Sequence, residues 1–93
     1  MAAHGQLQVV LYGREGCHLC DEAEAMLARI AKRVPLTVRV IDIDADDYLQ
    51  RIYMMEIPVV TVEGVEIARA PISETTLEDA LVEQAKQREP GRR

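Results

Sequence analysis

"GREGCHLCDEAEAML", residues 13–27, marks the point where an extended apolar run gives way to a helical pattern. Before it, "LQVVLY" (residues 7–12) is a short apolar run that predicts a buried strand. From Leu19 to Val34, apolar residues recur at spacings of three and four, which predicts an amphipathic helix that Pro35 ends. Both cysteines of the chain, Cys17 and Cys20, lie at this strand-to-helix junction.

Further strands and helices are predicted downstream. "LTVRVIDI" (residues 36–43) is typical of a second strand, which makes a βαβ unit with parallel strands. Asp44 is expected to cap a second helix, with Leu49, Ile52 and Tyr53 on its apolar face. We expect Tyr12 and the segment "YMME" (residues 53–56) to pack in the core, although the segment is also suited to line a substrate groove.

The second half of the chain predicts a hairpin and a final helix. Residues 59–62 and 65–68 are β-rich and flank Glu63-Gly64, a two-residue turn, and Pro58 opens the third strand. Ser73 or Thr75 is expected to cap the last helix, and Thr75 and Glu78 have capping-box spacing. The predicted order is β-α-β-α-β-β-α, an α/β fold.

Length and composition predict one domain over residues 1–93, with an ordered core at about 7–86 and a frayed tail at 88–93. The core is aliphatic, since the chain has three Tyr and neither Phe nor Trp. A net charge of -5 and few aromatic side chains argue against a nucleic-acid partner. We see neither a secretory leader nor an apolar run of about 20 residues, so we expect a cytoplasmic protein that does not contact membranes.

The two cysteines fit redox chemistry. Residues three apart on a helix share a face, and a Cα separation of about 5–6 Å suits a disulfide. Unpaired amides at a helix N-terminus stabilise a thiolate, and C-x-x-C thiols there have pKa values of about 3.5–7.5. We therefore predict that Cys17 is the nucleophile that attacks a disulfide, and that Cys20, deeper and protonated, resolves the mixed disulfide.

Other uses of the two thiols stay open at this stage. A zinc site needs four ligands, and only His4 and His18 could join the cysteines. We predict no metal site within one chain. A metal or iron–sulfur cluster shared between two chains through Cys17, a structural thiol pair, and a binding module without turnover are the alternatives.

The sequence resembles the glutaredoxins, within the thioredoxin superfamily, over about residues 7–86. "LYGREGCHLC" is similar to the glutaredoxin opening, and "EIPVVTVEG" resembles the family's Val-Pro segment with the strand that follows. The likeness is greatest to small bacterial glutaredoxin-like proteins. It implies a thioredoxin-like fold with a four-stranded mixed sheet flanked by helices, in which strands one and two are parallel and strands three and four antiparallel.

The resemblance also implies substrate-binding residues. It implies a cis Ile57–Pro58 bond that faces the cysteines and offers backbone hydrogen bonds to a peptide or glutathione. Arg14 corresponds to a basic residue that contacts the glutathione carboxylate. His18 either tunes the thiol pair or is a solvated turn residue, and Leu19 is expected in the core.

The chain departs from both related patterns. "IARAPISE" (residues 67–74) replaces the Gly-Gly stretch that holds the other end of glutathione, with Ser73 and Glu74 as stand-ins. Thioredoxins carry a buried acid where this chain has Leu11, and a Trp before the first cysteine. We expect a monomer without a bound cofactor. Its substrate would be a disulfide-containing protein or glutathione, the latter as a co-substrate, and its reductant a thioredoxin reductase or the glutathione system.

Overall fold

A computed structural model describes residues 6–88 as a four-stranded sheet with three α-helices. The predicted order of elements is confirmed. The strands and helices are β1 (Leu7–Gly13), α1 (His18–Ile30), β2 (Leu36–Asp42), α2 (Asp47–Tyr53), β3 (Val59–Val62), β4 (Val65–Arg69) and α3 (Glu74–Gln87). The predicted tail at 88–93 lies, apart from Arg88, outside the described residues.

The sheet has the strand order β2-β1-β3-β4. β1 and β2 are parallel, with Leu7 opposite Leu36, whereas β3 is antiparallel to both β1 and β4. The mixed sheet predicted from the sequence is confirmed. Because β1 and β2 are parallel, the chain must return to the end of the sheet at which β1 began, and α1 forms this crossover connection.

The β3–β4 turn forms as predicted. Glu63 has φ +51° and Gly64 has φ +85°, so both central residues are left-handed. Two such residues make the turn whose twist matches that of the flanking strands. The sequence Glu-Gly therefore fixes the β3–β4 register at its closed end, where Val62 pairs with Val65.

Most of the apolar core lies under α1 and α3. Alternate residues of β1 point into it, together with one face of each helix. This large cluster comprises Leu7, Val9, Leu11, Ala23, Leu27, Ile30, Val34, Leu36, Val60, Val62, Leu77 and Leu81. A separate small cluster contains Cys20, Ile43 and Ile57, with Tyr12, Cys17, Leu49 and Tyr53 packed against it.

Two helix boundaries differ from the prediction. α1 ends at Ile30 rather than at Val34, and the chain passes through a turn in which the Val34 N–H still bonds to the Ile30 carbonyl at 2.9 Å. The period of three and four therefore persists although the helix has ended, and Val34 stays buried. At α3 the cap is Ser73, whose Oγ accepts from the Thr76 N–H at 3.1 Å, so the predicted Thr75 capping box is wrong.

The start of α2 also differs. Asp46, not Asp44, is its N-cap, because the Asp46 carboxylate accepts from the N–H groups of Tyr48 and Leu49. The predicted apolar face is only partly buried, since Leu49 and Tyr53 pack against the small cluster and Ile52 is 44% exposed. Within residues 6–88, no helix is both long and apolar enough to span a membrane.

Candidate functional site

Cys17 is the N-cap of α1. Its backbone is extended, and its Sγ accepts a hydrogen bond from the Cys20 N–H at 3.1 Å. Gly16 immediately before it has φ +80°, a left-handed conformation that glycine adopts without strain and that turns the chain into the helix. The sulfur of Cys17 therefore occupies the place that an oxygen-bearing cap usually takes, where helix amides favour a negative charge.

Cys17 and Cys20 are joined by a disulfide, with their Cα atoms 5.2 Å apart. This agrees with the separation expected from the spacing. Cys20 is 6% exposed and belongs to the small cluster, whereas Cys17 is half-buried at its edge. Cys20 is therefore the deeper of the two sulfurs, as the sequence predicted.

The Ile57–Pro58 bond is cis, as the resemblance implied. Both residues are buried, and Ile57 packs with Cys20 in the small cluster. The Ala70–Pro71 bond is also cis, which the sequence analysis did not predict. Pro58 and Pro71 line one cleft of about 80 Å³ together with Leu19 from the first turn of α1. The site thus combines the start of α1 with two proline segments.

Leu19 was expected in the core, and this is wrong. Its side chain is 51% exposed and faces the cleft beside Pro58. The core face of α1 is instead formed by Cys20, Ala23 and Leu27. Leu19 precedes Cys20 directly, and adjacent helix residues point about 100° apart, so Leu19 points well away from the direction of the buried Cys20.

Arg14 lies beside the thiol pair but is held by Asp44. Its Nε donates to Asp44 Oδ2 at 3.1 Å and its Nη2 to Oδ1 at 3.0 Å. Gln50 donates to the same carboxylate at 2.9 Å. The hydrogen bonds from Arg14 and Gln50 lower the pKa of Asp44, and the Asp44 carboxylate raises the pKa of Arg14. The sequence analysis missed this bidentate pair, because it used Asp44 as a helix cap.

A second cleft, of about 290 Å³, is lined by Arg14, Gln50, Arg51, Met54 and Met55. The expectation that residues 53–56 pack in the core is wrong for both methionines, which are 55% and 86% exposed. α2 ends at Tyr53, and Met54, with φ +27°, begins a short 3₁₀ turn, Met54–Glu56, in which no residue is buried. The alternative, that the segment lines a groove, agrees with the position of the two methionines, and its use by a substrate stays a prediction.

Tyr12 and Tyr53 pack on each other at the edge of the small cluster, as expected for Tyr12. Their ring centroids are 4.8 Å apart and their planes are inclined at 34°. Burial, and then the proximity of Tyr12, raises the pKa of Tyr53. The pair covers the cluster that contains Cys20. Two aromatic rings therefore lie against the small cluster that contains the thiol pair.

His18 is at the solvent-facing side of the first turn of α1. Its side chain is 84% exposed, and its Nε2 lies 2.7 Å from Glu22 Oε2, one turn further on. Of the two interpretations of His18, this geometry favours the solvated turn residue. Its influence on the thiol pair stays a prediction.

Ser73 and Glu74, the stand-ins for the missing Gly-Gly stretch, are already engaged within the fold. Ser73 caps α3, and Glu74 Oε1 accepts from Arg29 Nη2 at 2.7 Å. Within residues 6–88, no three His, Cys, Asp or Glu side chains are grouped closely enough to hold a metal ion. His4, which the sequence analysis considered as a ligand, lies outside this range.

Comparison with known proteins adds a family and a fold. The family model described as "Glutaredoxin-like domain (DUF836)" matches residues 8–84. No curated protein has a matching sequence.

Among solved structures, protein Ne2328 from Nitrosomonas europaea is 33% identical, with a TM-score of 0.69 over 78% of this chain and 88% of that protein. Protein XcR50 from X. campestris is 32% identical, with a TM-score of 0.69 over 81% of this chain and 96% of that one. Thioredoxin 1 from Thermosipho africanus is 18% identical, with a TM-score of 0.63 over 83% of this chain and 92% of that one. This last likeness shows the fold alone, and it confirms the predicted thioredoxin-like arrangement.

Proposed function

Because this chain belongs to the glutaredoxin-like domain family of the thioredoxin superfamily, we propose that it is a thiol–disulfide oxidoreductase. In this proposal Cys17 is the nucleophile and Cys20 the resolving cysteine. The observation that carries it is the Cys17–Cys20 disulfide at the N-terminus of α1, beside the buried Ile57–Pro58 segment. A pair that closes within one helical turn can cycle between dithiol and disulfide without rearranging the fold.

The first step is attack by the Cys17 thiolate. Its sulfur bonds to one sulfur of the substrate disulfide, the substrate S–S bond breaks, and the other sulfur leaves with the electron pair. The Cys20 N–H, 3.1 Å from Cys17 Sγ, supports the anion, as do the other unpaired amides of the first turn. Partial exposure of Cys17 gives the substrate access to it.

The second step is resolution by Cys20. After losing its proton, the Cys20 sulfur attacks Cys17, and the bond between Cys17 and the substrate breaks. The substrate leaves as a thiol, so the substrate disulfide has gained two electrons, and Cys17 and Cys20, which have lost two electrons, become the disulfide. A thioredoxin reductase or the glutathione system returns that disulfide to the dithiol by supplying two electrons and two protons.

The substrate is a disulfide-containing protein or a glutathione mixed disulfide, with glutathione as co-substrate. The backbone of Ile57 would hydrogen-bond an extended peptide beside Cys17, because Pro58 has no N–H and its carbonyl already accepts from the Ala70 N–H at 3.0 Å. Arg14 would bind a substrate carboxylate by exchanging it for Asp44, at the edge of the cleft lined by Met54 and Met55. His18, exposed on the first turn, would contact the part of the substrate that stays in solvent. The protein acts as a cytoplasmic monomer in this proposal.

Two coupled assays test the function. In the first, a glutathionylated peptide is reduced with glutathione, glutathione reductase and NADPH; in the second, a protein disulfide is reduced with thioredoxin reductase and NADPH. Cys17→Ser should abolish turnover in both. Cys20→Ser should keep turnover only for the glutathionylated peptide, which needs no resolving thiol, and should trap mixed disulfides with protein substrates.

Undiminished reduction of either substrate by Cys17→Ser would show that the assignment is wrong. If the wild-type protein fails in both assays, anaerobic purification distinguishes the alternatives. Bound iron with a dimer would favour a cluster carrier joined through Cys17. A colourless monomer whose Cys17 thiol titrates near the ordinary value of about 8.5 would favour a binding module.

A further inference from the structure

Cys20 lines a cleft that shares no residue with the cleft beside Pro58. This third cleft, of about 180 Å³, lies between α1, β1 and β2. β1 contributes Leu11 and Gly13, neither of which can accept a proton. A Cβ built on Gly13 would lie 2.9 Å from Cys20 Sγ, so the absence of a side chain there brings the backbone close to the sulfur. The cleft is large enough to hold water.

The resolving step that we propose above requires Cys20 to lose a proton. A buried thiol has a raised pKa, because burial disfavours the thiolate. Cys20 is 6% exposed and packs against Ile43 and Ile57, surroundings that favour the protonated thiol over the thiolate. A proton acceptor near Cys20 would therefore accelerate resolution, and the cleft is where the Cys20 side chain meets other polar groups.

The polar groups around this cleft are mostly acidic. The charged and titratable residues around Cys20 are those that line the cleft with it, Arg14, Glu15, Asp21, Glu24 and Asp42, and those that pack against the small cluster, Tyr12, Tyr53 and Cys17. The carboxylate of Asp44 already holds the guanidinium of Arg14. A phenol is ordinarily protonated at neutral pH, so the groups around Cys20 that could accept its proton are carboxylates.

Among these carboxylates, Glu24 has the best position. It follows Cys20 by four residues on α1, and residues at this spacing lie one above the other on the same face. Asp21 is adjacent to Cys20 and points about 100° away around the helix. Asp42 Oδ1 accepts from the Asp44 N–H at 2.9 Å, and Glu15 precedes Cys17 in the loop.

We propose that Glu24 accepts the proton of Cys20 through the cleft, and so acts as the general base of the resolving step. This inference rests on the proposed function. The proton passes from Cys20 Sγ to the Glu24 carboxylate by way of solvent in the cleft. The Cys20 sulfur then bonds to Cys17 Sγ, and the substrate sulfur leaves with the electron pair of the broken bond. Glu24 afterwards releases its proton to bulk water.

Proton transfer by Glu24 and a simple effect of its negative charge predict opposite changes in the rate of the resolving step. Removing a negative charge near Cys20 would by itself lower the pKa of this thiol and ease its deprotonation. Glu24→Gln would then accelerate resolution. Loss of a proton acceptor has the opposite effect, because general base catalysis typically contributes about 10²–10⁴-fold. A slower resolving step in Glu24→Gln is therefore evidence for proton transfer.

The experiment follows the reduced protein after mixing with an aromatic disulfide whose thiolate product absorbs visible light. The first equivalent of coloured thiolate reports attack by Cys17, and the second reports resolution by Cys20. For Glu24→Gln we expect an unchanged first phase and a second phase slowed at least about tenfold near pH 6. Above the pKa of the Cys20 thiol, solvent removes the proton, so the two proteins should converge.

Two variants serve as controls. Asp79→Asn, on the exposed surface of α3, makes the same change in net charge and should leave both phases unchanged. Asp21→Asn tests the neighbouring carboxylate and should leave the second phase within about twofold. An unchanged or faster second phase in Glu24→Gln would overturn the proposal, as would slowing equal to that of Asp21→Asn. Absence of the first phase in the wild-type protein would overturn the proposed function instead.

Discussion

The two hydrophobic clusters of this molecule differ in how they are covered. The large cluster lies under α1 and α3, which bury three and two of their residues in it. The small cluster around Cys20 is covered by α2, a helix of seven residues of which none is buried. Regions with few buried apolar contacts open at lower free energy than the core. The comparison indicates that the large cluster supplies stability, whereas the small cluster holds the thiol pair under a weakly anchored cover.

The largest expected effect comes from truncation in the large cluster. Leu27 is 0% exposed, so Leu27→Ala should lower the free energy of unfolding by about 2–5 kcal/mol. Ile52 on α2 is 44% exposed, and Ile52→Ala should change it by less than about 0.5 kcal/mol. Urea denaturation of both oxidised proteins measures the difference. Equal losses would show that α2 is as firmly anchored as α1.

A smaller loss is expected from Gly13→Ala, which tests how tightly the small cluster is packed at Cys20. The added Cβ would lie 2.9 Å from Cys20 Sγ and 3.0 Å from Cys20 Cβ. Forcing a methyl group into such a space typically costs about 1–3 kcal/mol. Urea denaturation of the oxidised protein should show this loss.

A double-mutant cycle separates the clash with the sulfur from other effects of the methyl group. Gly13→Ala should lower the free energy of unfolding by less in a Cys17→Ser/Cys20→Ala background, because the sulfur at position 20 is gone and the smaller side chain there leaves room for the added methyl group. The reference for this comparison is the Cys17→Ser/Cys20→Ala protein with Gly13 retained. The same cost in both backgrounds would mean that Gly13 is needed for β1 rather than for Cys20.

The sequence was sufficient for the parts of the molecule that local chemistry determines. The change of period after Gly13 predicted β1 and α1, and Glu63-Gly64 predicted the hairpin. The spacing of Cys17 and Cys20 predicted a disulfide-compatible pair. These features depend on residues within one or two turns of each other, so the pattern carries the information.

The failures concern residues whose surroundings come from distant parts of the chain. Asp44 looked like a helix cap because caps are local, but its carboxylate bonds to Arg14, 30 residues earlier. Leu19 and Met55 looked like core residues because they are apolar, but they line clefts formed with other segments. Hydrophobicity predicts burial only on average, and an exposed apolar residue beside a site is a local exception.

Removing the helix caps should have the next smaller effect on stability, and it tests how weakly α2 is anchored over the small cluster. Ser73→Ala should cost about 0.5–2 kcal/mol of global stability, because α3 is packed on the large cluster. Asp46→Ala removes the acceptor of two N–H groups, yet should mainly open α2 locally. Hydrogen exchange should then accelerate at residues 47–53 while the urea midpoint changes less than in Ser73→Ala. A larger midpoint change in Asp46→Ala would contradict the proposed division between the clusters.

The ion pairs between α1 and α3 should give the smallest effect, visible in acid. Hydrogen bonds from Arg29 and Arg33 lower the pKa values of Glu74 and Glu78 below their ordinary value of 4.5. A carboxyl group with a lowered folded-state pKa adds stability that is complete above the unfolded value and disappears as the pH falls through the folded value. These pairs are exposed, so their contribution is small and screened by salt.

The double variant Glu74→Gln/Glu78→Gln isolates this contribution. Its stability should lie slightly below that of the wild-type protein at pH 7 and approach it as the pH falls through the lowered folded-state pKa values of the two wild-type carboxyl groups. The Arg14–Asp44 pair beside the small cluster has the same sign, because Arg14 lowers the pKa of Asp44. Asp44→Asn should therefore also reduce the loss of folding stability that the protein shows as the pH falls. If Asp44→Asn also changes the rate at which Cys17 attacks, the acid response of this second pair belongs to the site as well as to the fold.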